Sequence, residues 1–153
     1  MLLPARPLNT LALIAGAERL RRAAASATGL PLLLRGRRFA LLSDNHDSPA
    51  AAAFVRAATE LGGHVARVRA SGPGDRPPHD LAALLGQLYD AIECQGLPKA
   101  DLLELGRHAG VPVFDGIGDA AHPLHRLADT MTGDDAAVNR HRLLQSLLTS
   151  SLG

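Results

Sequence analysis

The groups in this chain with chemistry to offer fall in a few places. His122 and His125 stand three residues apart at a helix start, and Asp44, His46 and Asp47 crowd a segment that runs into Ser48 and Pro49. Two imidazoles at that spacing joined to an acidic loop make a donor set for a transition metal. The plainer reading of both groups is a solvated polar rim, with His122 kept for helix-start geometry. Cys94 is the one cysteine, and alone it builds neither a disulfide framework nor a zinc cluster. It ends an apolar stretch with no base close in sequence, so it reads as a packed thiol rather than a nucleophile. Asp119 and Asp129 read as a loop cap and a helix-face charge. Arg19, Arg21 and Arg22 read as the polar face of a first helix, and Arg35, Arg37 and Arg38 as a solvated basic run.

The elements that must position these groups follow from pattern. A chain of 153 residues with 46% hydrophobic residues is long enough for one domain with a substantial core, and too apolar for a disordered tail. Asn9 or Thr10 caps a helix reaching about Ala27, stopped by Gly29 and Pro31. Residues 39–42 read as a short buried strand. Asp47 or Ser48, with Pro49 in the first helical position, starts a helix that runs to Leu61 and ends at Gly62-Gly63. Residues 64–68 alternate as a strand, and 72–78 form a Pro/Gly loop. Then come a helix at 80–88, a strand at 89–93, a helix at 99–108 and a strand at 111–114. Strands alternating with helices of this length predict βαβ units and an α/β fold. The expected architecture is a single open parallel sheet of about four strands with helices on both faces. Its ligand loops lie beyond the strand carboxyl ends. A helix from 122 to 131 and a last helix from 134 to 152, led by Asp134 and Asp135, complete the chain.

The same residues exclude several classes. A formal charge of +1 gives no reason to expect nucleic acid, and Phe39, Phe54, Phe114 and Tyr89 are too few for a base-stacking platform. No apolar run approaches the roughly 20 residues that span a bilayer, and residues 1–4 lead into a segment too polar for a secretory signal. The expectation is a soluble, reduced, cytoplasmic protein without a membrane partner.

Three motifs then stand in order. Leu61-Gly62-Gly63-His64, Val111-Pro112-Val113-Phe114-Asp115-Gly116 and His122-Pro123-Leu124-His125-Arg126-Leu127-Ala128-Asp129 resemble the aspartate/ornithine carbamoyltransferase family. Its members carry L-G-G-[HA], V-P-V-[IW]-N-G-L and H-P-x-Q-x-L-A-D at similar spacing, and the L-A-D ending points to the ornithine branch. Tyr89-Asp90-Ala91-Ile92 is similar to the family strand that precedes an arginine for carbamoyl phosphate. The last helix, with Asn139-Arg140, is similar to the family's C-terminal helix. The resemblance implies a carbamoyl-phosphate domain over residues 1–132, closed by a helix at 134–153, with Gly133 standing where the second, amino-acid-binding domain would lie. It also implies trimer contacts.

The resemblance further implies which residues would touch substrate, and there the chain departs from it. The S-T-R-T-R segment of the family falls on Asp47, Ser48, Pro49, Ala50 and Ala51, so both arginines are replaced. The third arginine falls on Gln95, and the glutamine of H-P-x-Q falls on His125. His122 alone keeps its family identity, as a donor to the carbamoyl carbonyl. Family geometry would also bring Asp44, His46 and Asp47 near His122 and His125. Carbamoyl phosphate is a dianion that wants a helix N-terminus and guanidinium groups. Here Pro49 has no N–H, Asp47 can cap the helix itself, and each carboxylate opposes the ligand by about 1–4 kcal/mol.

The reading is therefore a truncated, degenerate relative of ornithine carbamoyltransferase that lacks transfer activity and acts as a binding or scaffold protein. It would form homo-oligomers or a complex with another enzyme, and needs no cofactor. One alternative is a residual or altered transferase using His122, with degenerate substrate positions at Ser48, Gln95 and His125 and an acceptor site on another chain. The other is a metal or small-molecule domain built on His46, His122 and His125.

Overall fold

A computed structural model of the chain describes residue 2 and residues 9–70 and 78–152. Its elements are α1 (Thr10–Ala25), β1 (Arg38–Leu42), α2 (Pro49–Glu60), β2 (His64–Val68), α3 (Pro78–Leu88), β3 (Ala91–Cys94), α4 (Lys99–His108), β4 (Val113–Asp115), a 3-10 helix (Pro123–Thr130) and α5 (Ala136–Leu152). Apart from Leu2 and Pro78, the expected leader at 1–4 and the loop at 72–78 lie outside the described residues.

The four strands form one parallel sheet in the order β2-β1-β3-β4, the open α/β architecture expected from the βα alternation. β1 lies between β2 and β3, and every residue of β3 is buried, as in a sheet covered on both faces. Strand alternation sends Phe39, Leu41, Ala91 and Phe114 to one face, where α1, α2, α5 and the 3-10 helix close a core. Ala40, Leu42, Ile92, Cys94 and Val113 turn to the other face, against α3 and α4. α5 reaches its face through Leu143, Leu144 and Leu148, which pack with Leu13, Ala17 and Leu20 of α1 and with Leu124 and Ala128. Phe39 and Phe54 meet edge to face at 5.9 Å, an arrangement worth about 1 kcal/mol beyond burial.

The turn from α2 to β2 shows why two glycines stand together. Gly62 has φ +90, a conformation that side chains resist. A Cβ on Gly63 would lie 2.9 Å from Phe39 Cε2 and 3.0 Å from the Ala58 carbonyl, so only a bare backbone fits there.

Several boundaries differ from expectation for local reasons. α1 ends at Ala25, where Ser26 turns extended and its N–H bonds the Ala23 carbonyl. β3 begins at Ala91, because Asp90 takes the Arg38 N–H at 2.8 Å and its own N–H bonds the Arg38 carbonyl at 2.7 Å. Tyr89 and Asp90 thus join α3 to the sheet as a turn. β4 starts at Val113, since Pro112 has no N–H to give a ladder. The segment after His122 is a 3-10 helix, not an α-helix. Its three-residue period lines up His125, Ala128 and Met131, all buried, on the core side. α5 begins at Ala136, with Asp135 Oδ1 accepting the Val138 N–H at 2.9 Å.

Candidate functional site

The sheet order reverses between β1 and β3, so the crevice at their carboxyl ends is where an open α/β sheet offers a site. Two clefts open there and share Gln95 and Gly96. The smaller, about 320 Å³, runs from Ala50 at the start of α2 to Asp115, Asp119 and His122 beyond β4. The larger, about 420 Å³, has an apolar wall including Leu42, Leu81 and Leu105 and a polar rim including Asp44, Asn45 and Asp101.

The start of α2 has little left for an anion. Ser48, not Asp47, is the cap, and its Oγ accepts the Ala51 N–H at 3.1 Å. Pro49 has no N–H, and Ala52 donates to the Ser48 carbonyl. Of the first-turn amides, that of Ala50 remains. Ser48 and Ala51 are therefore engaged with each other, and Asp47 is tied back through its N–H to Asn45 Oδ1 at 3.1 Å.

The histidines do not converge. His46 Nε2 lies 3.1 Å from both the Leu41 and Val68 carbonyls, so it carries the proton and bridges the ends of β1 and β2. β2 and β4 are opposite edges of the sheet, which separates His46 from His122. His125 Nε2 donates to the Ile117 carbonyl at 2.7 Å, which leaves its buried Nδ1 without a partner. His122 Nδ1 accepts the Leu124 N–H at 3.1 Å and caps the 3-10 helix, so the neutral ring carries its proton on Nε2. Burial lowers the pKa of both His122 and His125, and His122 is lowered further by its neighbour His125. Both are thus biased toward the neutral ring. Among the described residues no three His, Cys, Asp or Glu side chains group as a metal set.

The residue that sequence reasoning missed is Glu93. It points to the same face as Ala91, is fully buried, and accepts N–H bonds from Gly118 at 2.8 Å, Ile117 at 3.2 Å and Gln95 Nε2 at 3.2 Å. Burial pushes its carboxyl up to about 7 against the pull of those donors. The signal was available: an acidic residue between Ile92 and Cys94 inside an otherwise apolar strand. Gln95 Nε2 also donates to the Ala50 carbonyl at 3.1 Å, while its buried Oε1 has no partner. Cys94 is buried on the opposite face, its thiol held well above the usual range by burial and then by Glu93 and Asp115, which makes it inert. Asp119 is a loop cap as expected, its Oδ1 accepting the Ala121 N–H at 2.9 Å.

Comparison with known proteins matches this geometry. The model of the aspartate/ornithine carbamoyltransferase carbamoyl-P binding domain fits residues 6–134. The catabolic ornithine carbamoyltransferase of Burkholderia mallei is 40% identical over 119 residues, 76% of this chain and 35% of that protein. The catabolic enzyme of Clostridium perfringens is 38% identical over 105 residues, 68% of this chain and 32% of that protein. The chain therefore spans about a third of the length of these relatives. Among solved structures, ornithine carbamoyltransferase from Pyrococcus furiosus superposes with a TM-score of 0.67 at 25% identity, over 79% of this chain and 39% of that one. The enzyme from Thermus thermophilus gives 0.64 at 29% identity, over 84% and 47%. A family model that fits most of the chain, and relatives that share both its sequence and its sheet, place this protein in the aspartate/ornithine carbamoyltransferase family, as its carbamoyl-P binding domain.

Proposed function

We propose that this chain is a carbamoyltransferase-like domain that no longer handles carbamoyl phosphate and serves as a binding or scaffold protein. The observation that carries this reading is the smaller cleft. It is lined by Asp115, Asp119, Gln95 and His122, with no Arg or Lys among its described lining residues. A dianion would meet two carboxylates, a neutral imidazole and a helix start whose cap is already occupied. His122, the retained family position, keeps an N–H for a carbonyl oxygen but has no phosphate anchor beside it.

In this reading α5 is the family's C-terminal helix. Residues 131–135 bridge from the 3-10 helix to it, in place of a second domain. The partner is a second copy of the chain, a trimer by family resemblance, or another enzyme, and the setting is cytoplasmic. Among the described residues no helix is long and apolar enough to cross a membrane.

Thermal stability measured against carbamoyl phosphate, inorganic phosphate and zinc or nickel, beside a sizing column, tests the reading. A ligand at 100 times its Kd stabilises by about 2.7 kcal/mol, a readily visible shift. We expect no shift with either phosphate and a discrete oligomer on the column. A shift with carbamoyl phosphate that His122→Ala removes would restore the transferase. A shift with metal alone that His125→Ala removes would make this a metal-binding domain.

A further inference from the structure

We propose that Glu93 and Gln95 form an internal proton switch, in which protonation of Glu93 turns over the Gln95 amide and releases the loop at 116–118 from the start of α2. The switch does not depend on whether the cleft above it binds carbamoyl phosphate.

The argument begins with what surrounds Glu93. Its hydrogen-bond partners are N–H donors, namely the backbone of Ile117 and Gly118 and the side-chain amide of Gln95. No cation bonds it. β1 brings Leu41 beside it and β4 brings Phe114. From α2, Ala50 and Phe54 close on the loop, and neither is charged. Titratable groups on the adjoining segments are Cys94, Asp115 and Asp119, with His122 and His125 beyond the loop, while Tyr89 and Asp90 precede β3 at its other end. His125 touches that loop through the Ile117 carbonyl. A fully buried carboxylate with amide partners alone holds its charge weakly, and its carboxyl sits at about 7.

Gln95 supplies the second state. In the arrangement seen, Nε2 is shared between Glu93 Oε2 and the Ala50 carbonyl, and the buried Oε1 is unmet. That pattern suits an ionised Glu93, which only accepts. A proton taken up from solvent makes Glu93 a donor, and an unmet buried acceptor on its own bonding partner is Gln95 Oε1. Rotating the amide brings Oε1 to the Glu93 O–H and carries Nε2 away from Ala50. The Ala50 carbonyl then loses its side-chain partner and keeps only its bond within the helix.

The loop has no slack to absorb this change. A Cβ on Gly118 would lie 2.4 Å from the Ala50 carbonyl and 3.0 Å from Gln95 Nε2. The backbone at 118, the amide of Gln95 and the first turn of α2 are thus closely packed, and Ala50, Gln95 and the neighbouring Gly116 line the cleft. A rearrangement at Glu93 therefore moves the cleft wall.

The test is NMR of the full chain with 13C-carboxyl glutamate and 15N backbone labels, titrated from about pH 5 to about pH 9. The expected result is a Glu93 carboxyl midpoint within about one unit of 7, with the amides of Ile117, Gly118 and Ala51 shifting at the same midpoint. Ala51 is included because its N–H belongs to the same peptide unit as the Ala50 carbonyl. In Glu93→Gln the shared transition should vanish, while the histidine titrations remain. A carboxyl midpoint below about 5, or an amide transition that survives Glu93→Gln, would overturn the proposal. Gln95→Met gives an independent reading. Ile117 and Gly118 should still follow Glu93, but the Ala51 response should be lost; an unchanged Ala51 response would sink the amide relay.

Discussion

At the end of α2, Glu60 receives bonds from Arg142, His141 at 3.2 Å and Gln145 at 3.0 Å, all on α5. At the end of β3, Glu93 receives bonds from amides alone. Both side chains serve the same face of the sheet. Burial works against the charge at each, but the α5 donors and the Arg142 charge hold Glu60 down at about 2, while Glu93 stands at about 7. The difference is one of partner charge. The helix joint is built to keep its carboxylate ionised at every ordinary pH. The floor of the cleft is built so that its carboxylate is balanced between two states. A charge-paired joint suits a permanent contact, and an amide-only cradle suits a contact that changes.

The comparison is most directly broken at the joint. Glu60→Ala leaves Arg142, whose side chain is only 12% exposed, without its anion. Because Glu60 itself is 30% exposed, removing one partner of this half-buried pair should cost about 2 kcal/mol, between the buried and surface cases. Chemical denaturation at neutral pH should show that loss, and a change below about 0.5 kcal/mol would mean that water screens the joint. Arg142→Met tested in the same way should cost less with Glu60→Gln already present than alone.

The second effect is of opposite sign. Glu93 has a native pKa raised from 4.5 to about 7, so between those values the folded chain binds more protons than the unfolded one. Its contribution is fully present below about 4.5 and is lost as pH rises through about 7. Glu93→Gln removes the charging cost and should stabilise the protein by about 2 kcal/mol at pH 8, with little effect near pH 4.5. Glu60 runs the other way. Its contribution is present above the ordinary value of 4.5 and is lost as pH falls toward about 2. Denaturation midpoints across pH should therefore peak in mild acid, and a flat acid limb in wild type would contradict the Glu60 assignment.

The smallest effect concerns the cap beside the cleft. Ser48→Ala removes the acceptor for the Ala51 N–H and should cost about 1 kcal/mol. It also frees an amide at the helix start. If phosphate then binds measurably, the occupied cap is part of what excludes anions from the cleft. If it does not, the cap does not control anion binding at the cleft.

Much of the fold was legible because it rests on local rules. The βα alternation, the cap at Asn9, Pro49 at a helix start and the paired glycines at 62 and 63 each have a short-range cause. The 3-10 helix was not legible, since its period answers to which residues the core accepts at 125, 128 and 131. The candidate site divides in the same way. The proposed loss of the family's arginines at Pro49, Ala51 and Gln95 rests on residue type alone. The separation of His46 from His122 depends on strand order, because loops at opposite sheet edges can carry complementary side chains that never meet.

The sequence by itself determined the family and the parallel sheet, because motifs, periodicity and residue type are properties of neighbours along the chain. The tertiary structure alone decided that Glu93 is enclosed among amide donors, that Gln95 is shared between Glu93 and Ala50, and that α5 is fastened through Glu60. Those are matters of desolvation and through-space pairing, and both are set by which distant segments are brought together.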